Sequence, residues 1–164
     1  MKKTHYRTLW LSDIHLGNRD CKAEYLLSFL DSITVDTLYL VGDIVDMWQM
    51  SKQFRWPKAH NQVMHKFMQM SQEGTRVVYL PGNHDEPIQS YSGMAFGDIE
   101  IERELVHTTA QGKRYLVLHG DQFDGDVTMG KFHAWIGDKG YDLLLFLNRE
   151  FNRLRAWRKR AYWS

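Results

Sequence analysis

The 164-residue sequence has little cysteine, little proline, no long apolar run and almost no net charge. Its single cysteine, Cys21, excludes an internal disulfide and gives no sign of an oxidising compartment. The longest apolar run, Leu143 to Leu147, is far too short to cross a bilayer. Polar residues follow Met1 where a signal peptide requires an apolar segment. We therefore expect a cytoplasmic protein of single-domain size.

Strand-like and helix-like segments alternate along the chain. Two stretches carry apolar residues at helical spacing, one beginning with Asp20 as N-cap and one at Pro57. Gly74 is expected to end the second helix. This alternation is typical of an α/β sheet with crossover helices. The predicted strands are residues 6–12, 37–41 and 76–80, and a hairpin formed by residues 105–110 and 114–118.

Each of four predicted strands ends at a short polar cluster. In open α/β sheets, ligands bind at the carboxyl ends of the strands. Four separate loops therefore deliver Asp, His and Asn side chains to one edge of one sheet. The clusters are Asp13-Ile14-His15, Gly42-Asp43-Ile44-Val45-Asp46, Gly82-Asn83-His84-Asp85 and His119-Gly120-Asp121.

The residue types in these clusters favour a metal centre. Oxygen and imidazole ligands without thiolate suit Mn, Fe, Zn, Co or Mg. Asp13 and His15 are two residues apart, so on an extended strand end both would point towards one ion. Asp43 is a carboxylate able to bridge two ions, Asn83 offers a neutral oxygen and His119 a nitrogen. Two ions about 3.5–4 Å apart would clamp a phosphoryl group and hold a bridging hydroxide for attack.

Taken singly, each cluster has a simpler explanation. An isolated Asp-x-His is more often a capping aspartate and a surface histidine, and an isolated Gly-Asp after a strand is usually a turn. Asp46 alone could be a helix or turn cap. The four clusters in this order, each at a strand end, favour the metal interpretation over coincidence.

The same four clusters resemble the calcineurin-like metallophosphoesterase superfamily. Leu11–Gly17 and Leu118–Asp124 are particularly similar to its UDP-2,3-diacylglucosamine diphosphatase family, which acts in lipid A synthesis. The resemblance implies an α/β fold of mixed β-sheet layers flanked by helices, an incomplete four-layer sandwich. It implies a phosphoesterase core over residues 1–127 and a truncated helical cap over residues 128–164. It also implies hydrolysis of the diphosphate of UDP-2,3-diacylglucosamine or a similar nucleotide-sugar lipid.

The resemblance assigns the metal ligands residue by residue. Asp13, His15 and Asp43 would hold one ion, and Asp43, Asn83 and His119 would hold the other. Manganese is the first choice for both ions, with zinc, iron or magnesium as alternatives.

The family's last motif, Gly-x-x-His or Gly-His-x-His, does not occur before Ser164. Each ion would then have three protein ligands here, so metal affinity would be lower and the sites only partly filled. The chain is therefore interpreted as a truncated form of a longer protein, with an exposed face that self-association could cover. The other histidines do not replace the motif; His60 and His65, on the Pro57 helix, are expected to be solvated or at the edge of the core.

The resemblance also implies catalytic roles. His84 would face the phosphoryl group and help to stabilise or protonate the leaving oxygen, and Asp46 would hydrogen-bond His84 and keep it oriented. Candidates for substrate binding are Trp48, which follows the second cluster, and Arg149 and Arg153 in the C-terminal segment.

The C-terminal segment combines apolar residues at helical spacing with many arginines. Such a helix suits peripheral contact with the cytoplasmic face of an anionic inner membrane, a clamp for a diphosphate, or simple core packing with a solvated cationic face. Nucleic acid is a poorer fit because the rest of the chain is not basic. Two further functions stay open: a phosphodiesterase or phosphatase for a small soluble substrate, and a non-catalytic fragment.

Overall fold

The computed structural model describes residues 3–126. The chain divides into one compact unit, residues 1–121, and a second unit, residues 122–164, of which only the first five residues are described. The predicted helical cap over residues 128–164 and the candidates Arg149 and Arg153 lie outside the described residues. The boundary between the predicted core, residues 1–127, and the predicted cap therefore stays a prediction. Within the described part, no helix is long and apolar enough to span a membrane.

The first unit is built on a five-stranded sheet in the order β1-β2-β3-β5-β4. The strands are β1 (Thr4–Leu11), β2 (Ile33–Val41), β3 (Arg76–Leu80), β4 (Ala95–Phe96) and β5 (Ile99–Ile101). All pairings are parallel except that of β4 with β5. An antiparallel hairpin of β6 (Glu104–Thr108) and β7 (Arg114–Leu118) forms a second sheet.

Helices connect the parallel strands, as the alternation of segments predicts. They are α1 (Ala23–Asp31), the short α2 (Met47–Lys52) and α3 (Lys58–Gln72), with 3₁₀ turns at Glu86–Tyr91 and Asp121–Asp126. Leu30 on α1 and Phe67 on α3 are fully buried in one apolar cluster with residues of β2 and β3. The predicted α/β class, a mixed sheet with flanking helices, is confirmed.

The central strands are apolar on both sides because both of their faces are covered. Val77 and Tyr79 of β3 belong to the cluster that includes α1 and α3, whereas Val78 and Leu80 belong to a second cluster. Leu105 and Val117 of the hairpin pack against that second cluster. The sheet is therefore held between helices and a hairpin, and its strand ends are left to carry the polar loops.

The strand predictions were too short at the start of the chain. β2 begins at Ile33 because Ile33 and Val35 are buried while Thr34 and Asp36 face solvent, an alternation that extends the apolar run. β4 and β5 escaped prediction because two or three residues are too few to show a period. Residues 76–80 and 114–118 were predicted with the observed bounds.

Two expectations were wrong, one about the N-cap of α1 and one about the exposure of His60. Asp20 does not cap α1, whose N-cap is Lys22 without a side-chain hydrogen bond; the Asp20 N–H is instead held by Asn18 in a turn. His65 is exposed as expected, but His60 is buried at 4% exposure because its ring accepts a hydrogen bond from a loop.

Burial should make the single thiol unreactive. Cys21 is partly buried against the core just before α1, and burial raises the pKa of its thiol to about 11. At pH 8 its thiolate fraction should be roughly 100-fold below that of an ordinary thiol. We expect iodoacetamide alkylation, followed by mass spectrometry, to accelerate about tenfold per pH unit up to pH 10. The urea-unfolded chain is the control, and a rate that levels off near pH 9 in the folded chain would contradict the prediction.

Candidate metal centre

The loop that follows β1 lies beside the loop that follows β2, continuing the parallel pairing beyond the strands. Leu16 and Val45 form an isolated parallel bridge between them. Backbone hydrogen bonds therefore bring the first two polar clusters of the sequence together. The N–H groups of Asp13, His15 and Leu16 donate to the carbonyls of Gly42, Asp43 and Ile44 at 3.1, 2.8 and 2.8 Å.

Three of the predicted metal ligands have left-handed backbone conformations. The φ angles of Asp13, His15 and Asp43 are 54°, 53° and 55°. β1 ends at Leu11, so the expectation that Asp13 and His15 share one side of an extended strand end was wrong. Such conformations cost about 1–3 kcal/mol each in non-glycine residues and persist only where the surroundings enforce them. They concentrate at functional sites, and no other non-glycine residue of the described chain has a positive φ.

Asp43 lies between two imidazole rings. Its Oδ2 is 3.8 Å from His15 Nε2, and its Oδ1 is 3.7 Å from His119 Nε2. Asn83 Oδ1 is 3.3 Å from the same His119 nitrogen. The His84 N–H donates to Asp43 Oδ1 at 3.0 Å, which fixes the carboxylate relative to the loop after β3. The carboxylate thus presents one oxygen to each histidine.

These separations suit ligands of divalent cations. Ligand atoms that lie about 2.0–2.2 Å from one ion are roughly 3–4 Å from each other, and the distances around Asp43 fall in that range. Ligand atoms of His15, Asp43 and His84 all lie within 4.8 Å of one another. His15 Nδ1 is buried and makes no hydrogen bond with any described residue, although Asp46 Oδ2 is 3.3 Å away. The donors are oxygen and imidazole nitrogen only, so the residues fit a Mn-, Fe-, Zn- or Mg-type ion.

Asp13 contributes charge to this place. Asp13 is exposed in the loop. The interaction with Asp46 raises the pKa of His15 against the effect of burial, and the charges of Asp43 and Asp13 raise it further. The negative charges of three carboxylates therefore converge on one imidazole, an environment that stabilises a cation.

Two glycines make room for the close approach of Asp43 and His119. A Cβ atom added to Gly42, whose φ is 69°, would overlap the His119 ring. At Gly82, an added Cβ would lie 2.5 Å from Asp43 Oδ1 and 2.8 Å from His119 Nε2. The backbone at both positions must be bare for the imidazole to reach the carboxylate.

Asp46 both caps a helix and holds His84. Its Oδ1 accepts from the Gln49 N–H at 2.9 Å, as the N-cap of α2, and lies 2.9 Å from His84 Nδ1. Its Oδ2 accepts from Asn18 Nδ2 at 3.1 Å. Burial alone would raise the pKa of Asp46, but the nearby His15 and His84 rings and the donors from Gln49 and Asn18 outweigh it and hold the pKa well below its usual range. Asp46 is therefore charged.

Asp85 is a fully buried carboxylate whose importance the sequence did not reveal. Its Oδ2 accepts from the N–H groups of Ile44 and Val45 at 2.9 and 3.4 Å and from the Tyr79 hydroxyl at 2.5 Å. Its Oδ1 accepts from the Gly82 N–H at 2.5 Å. Burial, together with the charge of Asp85, raises the pKa of Tyr79 and keeps it protonated. Asp85 thus joins the loop after β2 to the loop after β3.

Gln89 joins the loop after β3 to the segment after β7 and was also missed. Its Nε2 donates to the Gly82 carbonyl at 3.1 Å and to Asp121 Oδ2 at 3.2 Å. Its Oε1 accepts from Arg103. A glutamine in a surface 3₁₀ turn gives no sequence signal for this bridge, which secures the backbone beside His119.

Trp48 lies at the edge of the cluster. Its ring is 5.5 Å from the His84 ring and nearly perpendicular to it, and 47% of the residue is exposed. Lys52 Nζ is 3.1 Å from the centre of the indole. An exposed aromatic ring with a cation over it therefore stands next to His84.

The described geometry defines a class of protein. His119 follows β7 of the hairpin, so the expectation that all four loops leave one sheet was wrong. Strand ends of an α/β sheet and a hairpin that gather carboxylate, imidazole and amide groups around one aspartate are typical of metal-dependent phosphoesterases. The family model for calcineurin-like phosphoesterases matches residues 6–159. The chain belongs to this family.

Several curated relatives share one name. The UDP-2,3-diacylglucosamine hydrolase of Photorhabdus laumondii is 32% identical over 117 residues, covering 70% of this chain and 48% of that protein. The protein of the same name from Chromohalobacter salexigens is 30% identical over 136 residues, covering 80% and 54%. The Vibrio cholerae protein is 29% identical over 119 residues, covering 70% and 47%. The chain therefore spans about half the length of the curated relatives it matches.

Replacing Gly82 with alanine should weaken metal binding without unfolding the chain. Its Cβ would push Asp43 and His119 apart, so we expect Mn²⁺ affinity in isothermal titration calorimetry to fall by at least about tenfold. Gly97→Ala is the control, because its Cβ would meet no atom within 4 Å. Its φ of 60° should cost only about 1 kcal/mol of stability. Equal Mn²⁺ affinity in both variants would contradict the prediction.

Asp85→Asn should destabilise the fold. An amide offers one acceptor oxygen where four donors converge, so we expect urea unfolding to show a loss of about 3 kcal/mol. Tyr79→Phe removes one of those donors and should cost about 1 kcal/mol. Asp98→Asn, at an exposed aspartate, is the matched control. The prediction is wrong if Asp85→Asn is as stable as Asp98→Asn.

Proposed function

We propose that this chain hydrolyses the diphosphate of UDP-2,3-diacylglucosamine, or of a similar nucleotide-sugar lipid, to a lipid monophosphate and UMP. The observation that carries the proposal is the placement of Asp43 between His15 and His119, one carboxylate oxygen towards each ring. The substrate is suggested by the name that the relatives carry. A small soluble phosphoester is the alternative substrate.

The metal ligands in this proposal are those implied by the family resemblance. Asp13, His15 and Asp43 would hold one ion, and Asp43, Asn83 and His119 would hold the other. When bound, two divalent ions, Mn²⁺ first with Zn²⁺, Fe²⁺ or Mg²⁺ as alternatives, supply Lewis-acid stabilisation of phosphoryl oxygens and lower the pKa of water. The chain's own contribution is to hold the ligand atoms in place through the loop hydrogen bonds described above.

His84 acts on the phosphoryl group in this proposal. Asp46 occupies its Nδ1, so only Nε2 is available to a phosphoryl oxygen or to the leaving oxygen. Asp46 holds the ring by Nδ1, so an Nε2–H would be directed to donate a hydrogen bond to developing negative charge. The His84 carbonyl accepts from the N–H groups of Met47 and Trp48 at 3.0 and 3.3 Å, which fixes the backbone of the residue as well.

Trp48 contacts the organic part of the substrate in this proposal, because its exposed ring stands beside His84. Lys52, held over that ring, adds a positive charge suited to a phosphate. Arg149 and Arg153 remain candidates for the diphosphate. A cytoplasmic location with peripheral contact to the inner membrane would bring the enzyme to a lipid substrate. Self-association through exposed apolar residues is a separate proposal; Leu116 on the hairpin, at 59% exposure, is one such residue.

Asp43→Ala should abolish turnover, because it removes the carboxylate that faces both histidines. With UDP-2,3-diacylglucosamine in vesicles and Mn²⁺ present, UMP release by the 164-residue chain should fall at least about 1,000-fold. Asp36→Ala is the matched control, since Asp36 is an exposed aspartate on β2 remote from the strand end.

Three outcomes separate the alternatives. Unchanged UMP release in Asp43→Ala would remove the mechanism. Hydrolysis of bis(p-nitrophenyl) phosphate without UMP release would favour the small soluble substrate. No Mn²⁺ by elemental mass spectrometry and no turnover of either substrate would favour a non-catalytic fragment.

A further inference from the structure

The loop that carries Asp13 and His15 is attached to α3 by one histidine side chain. His60 lies in the first turn of α3, and its Nδ1 accepts a hydrogen bond from the Gly17 N–H at 2.8 Å. The two residues are 43 positions apart in sequence, so the bond joins separate parts of the fold. Gly17 is two residues from His15, and His60 is buried at 4% exposure.

The acceptor role fixes the chemical state of His60. A ring nitrogen that accepts from a backbone N–H carries no proton, so the imidazole is neutral with its hydrogen on Nε2. Burial lowers the pKa of His60, and the charge of Arg55 acts in the same direction. The Trp56 ring stands nearly perpendicular to the imidazole, with centroids 5.9 Å apart, and restricts its orientation.

Gly17 is enclosed from its other side by α2. Its φ is 102°, and an added Cβ would lie 2.5 Å from Met50 Sδ. The neighbouring Leu16 is fully buried and bonded to the loop after β2 through its N–H and carbonyl. The backbone immediately after His15 is thus held on three sides, and His60 supplies the hydrogen bond from α3.

We propose that His60 is a positioning residue of the metal centre, holding Gly17 so that His15 keeps the left-handed conformation that directs its ring at Asp43. The proposal rests on the proposed function, because it requires that His15 and Asp43 bind a cation. A left-handed conformation is strained in a non-glycine residue such as His15, so it depends on anchors of this kind. Without the His60 acceptor, the loop can relax and the His15 ring loses its fixed direction. Partners that orient a ligand typically change metal affinity 10–100-fold when removed.

The test compares two variants of His60: one keeps an aromatic ring without a hydrogen-bond acceptor, and the other keeps an acceptor without the ring. His60→Phe keeps an aromatic ring against Trp56 but accepts no hydrogen bond. His60→Asn loses the ring but places an amide oxygen near the position of Nδ1. With the 164-residue chain and Mn²⁺ alone in isothermal titration calorimetry, we expect His60→Phe to bind at least about tenfold more weakly and His60→Asn within about threefold of wild type.

Val63→Ala is the matched structural control. Val63 is a fully buried residue one turn further along α3. Its side chain has no group that could hydrogen-bond to the loops after β1 and β2. Its truncation should lower the Tm without changing Mn²⁺ affinity, because it removes core packing only. His60→Leu provides a second variant without an acceptor if His60→Phe is not recovered folded.

The outcomes distinguish this inference from the function on which it rests. Wild-type Mn²⁺ affinity in His60→Phe, with wild type itself binding Mn²⁺, would overturn the role of His60 alone. So would a loss of affinity in Val63→Ala as large as that in His60→Phe at equal Tm. Absence of Mn²⁺ binding by the wild-type chain would overturn the proposed function and, with it, this role. Weak Mn²⁺ binding by His60→Phe, together with near wild-type binding by His60→Asn, would support the positioning role of His60.

Discussion

The site depends on the burial of one carboxylate, Asp85. Removing a carboxylate from water costs several kcal/mol unless hydrogen bonds replace the lost hydration. Here three backbone N–H groups and the Tyr79 hydroxyl replace it, and the N–H groups come from the loops after both β2 and β3. Because Asp43 lies on one of these loops and Asn83 and His84 on the other, their relative positions follow from the partners that Asp85 requires.

Strain at the predicted ligands and rigidity around them are two aspects of the same arrangement. Asp13, His15 and Asp43 hold conformations that an isolated chain would leave. The surroundings enforce these conformations through the paired loops, through Asp46 and through the bond from Gly17 to His60. A ligand set that is already in place loses little conformational freedom when a cation binds, so the cost of ordering the loops is met during folding.

The sequence singled out the four polar clusters but not the residues that hold them in place. The four clusters could be found because strand length, apolar runs and the rule on strand ends are local properties of the chain. Asp85 and His60 could not be assigned, because burial and a bond across 43 residues depend on the tertiary fold. Asp46 was predicted to serve either His84 or a helix cap, and its Oδ1 reaches both His84 and the Gln49 N–H. The left-handed loop after β1 was missed because Asp-x-His alone does not specify a backbone conformation.

The partners of the three most buried carboxylates show which one is left for a cation. Asp85 receives four donors, and Asp46 is bonded to Asn18, Gln49 and His84, so both are already satisfied. Among the described residues 3–126, Asp43 receives a single N–H, from His84, on Oδ1. In the same part of the chain its Oδ2 accepts no hydrogen bond and lies 3.8 Å from His15 Nε2. A carboxylate at 5% exposure with so few donors needs another positive partner, and a divalent cation shared with the facing imidazoles meets that need.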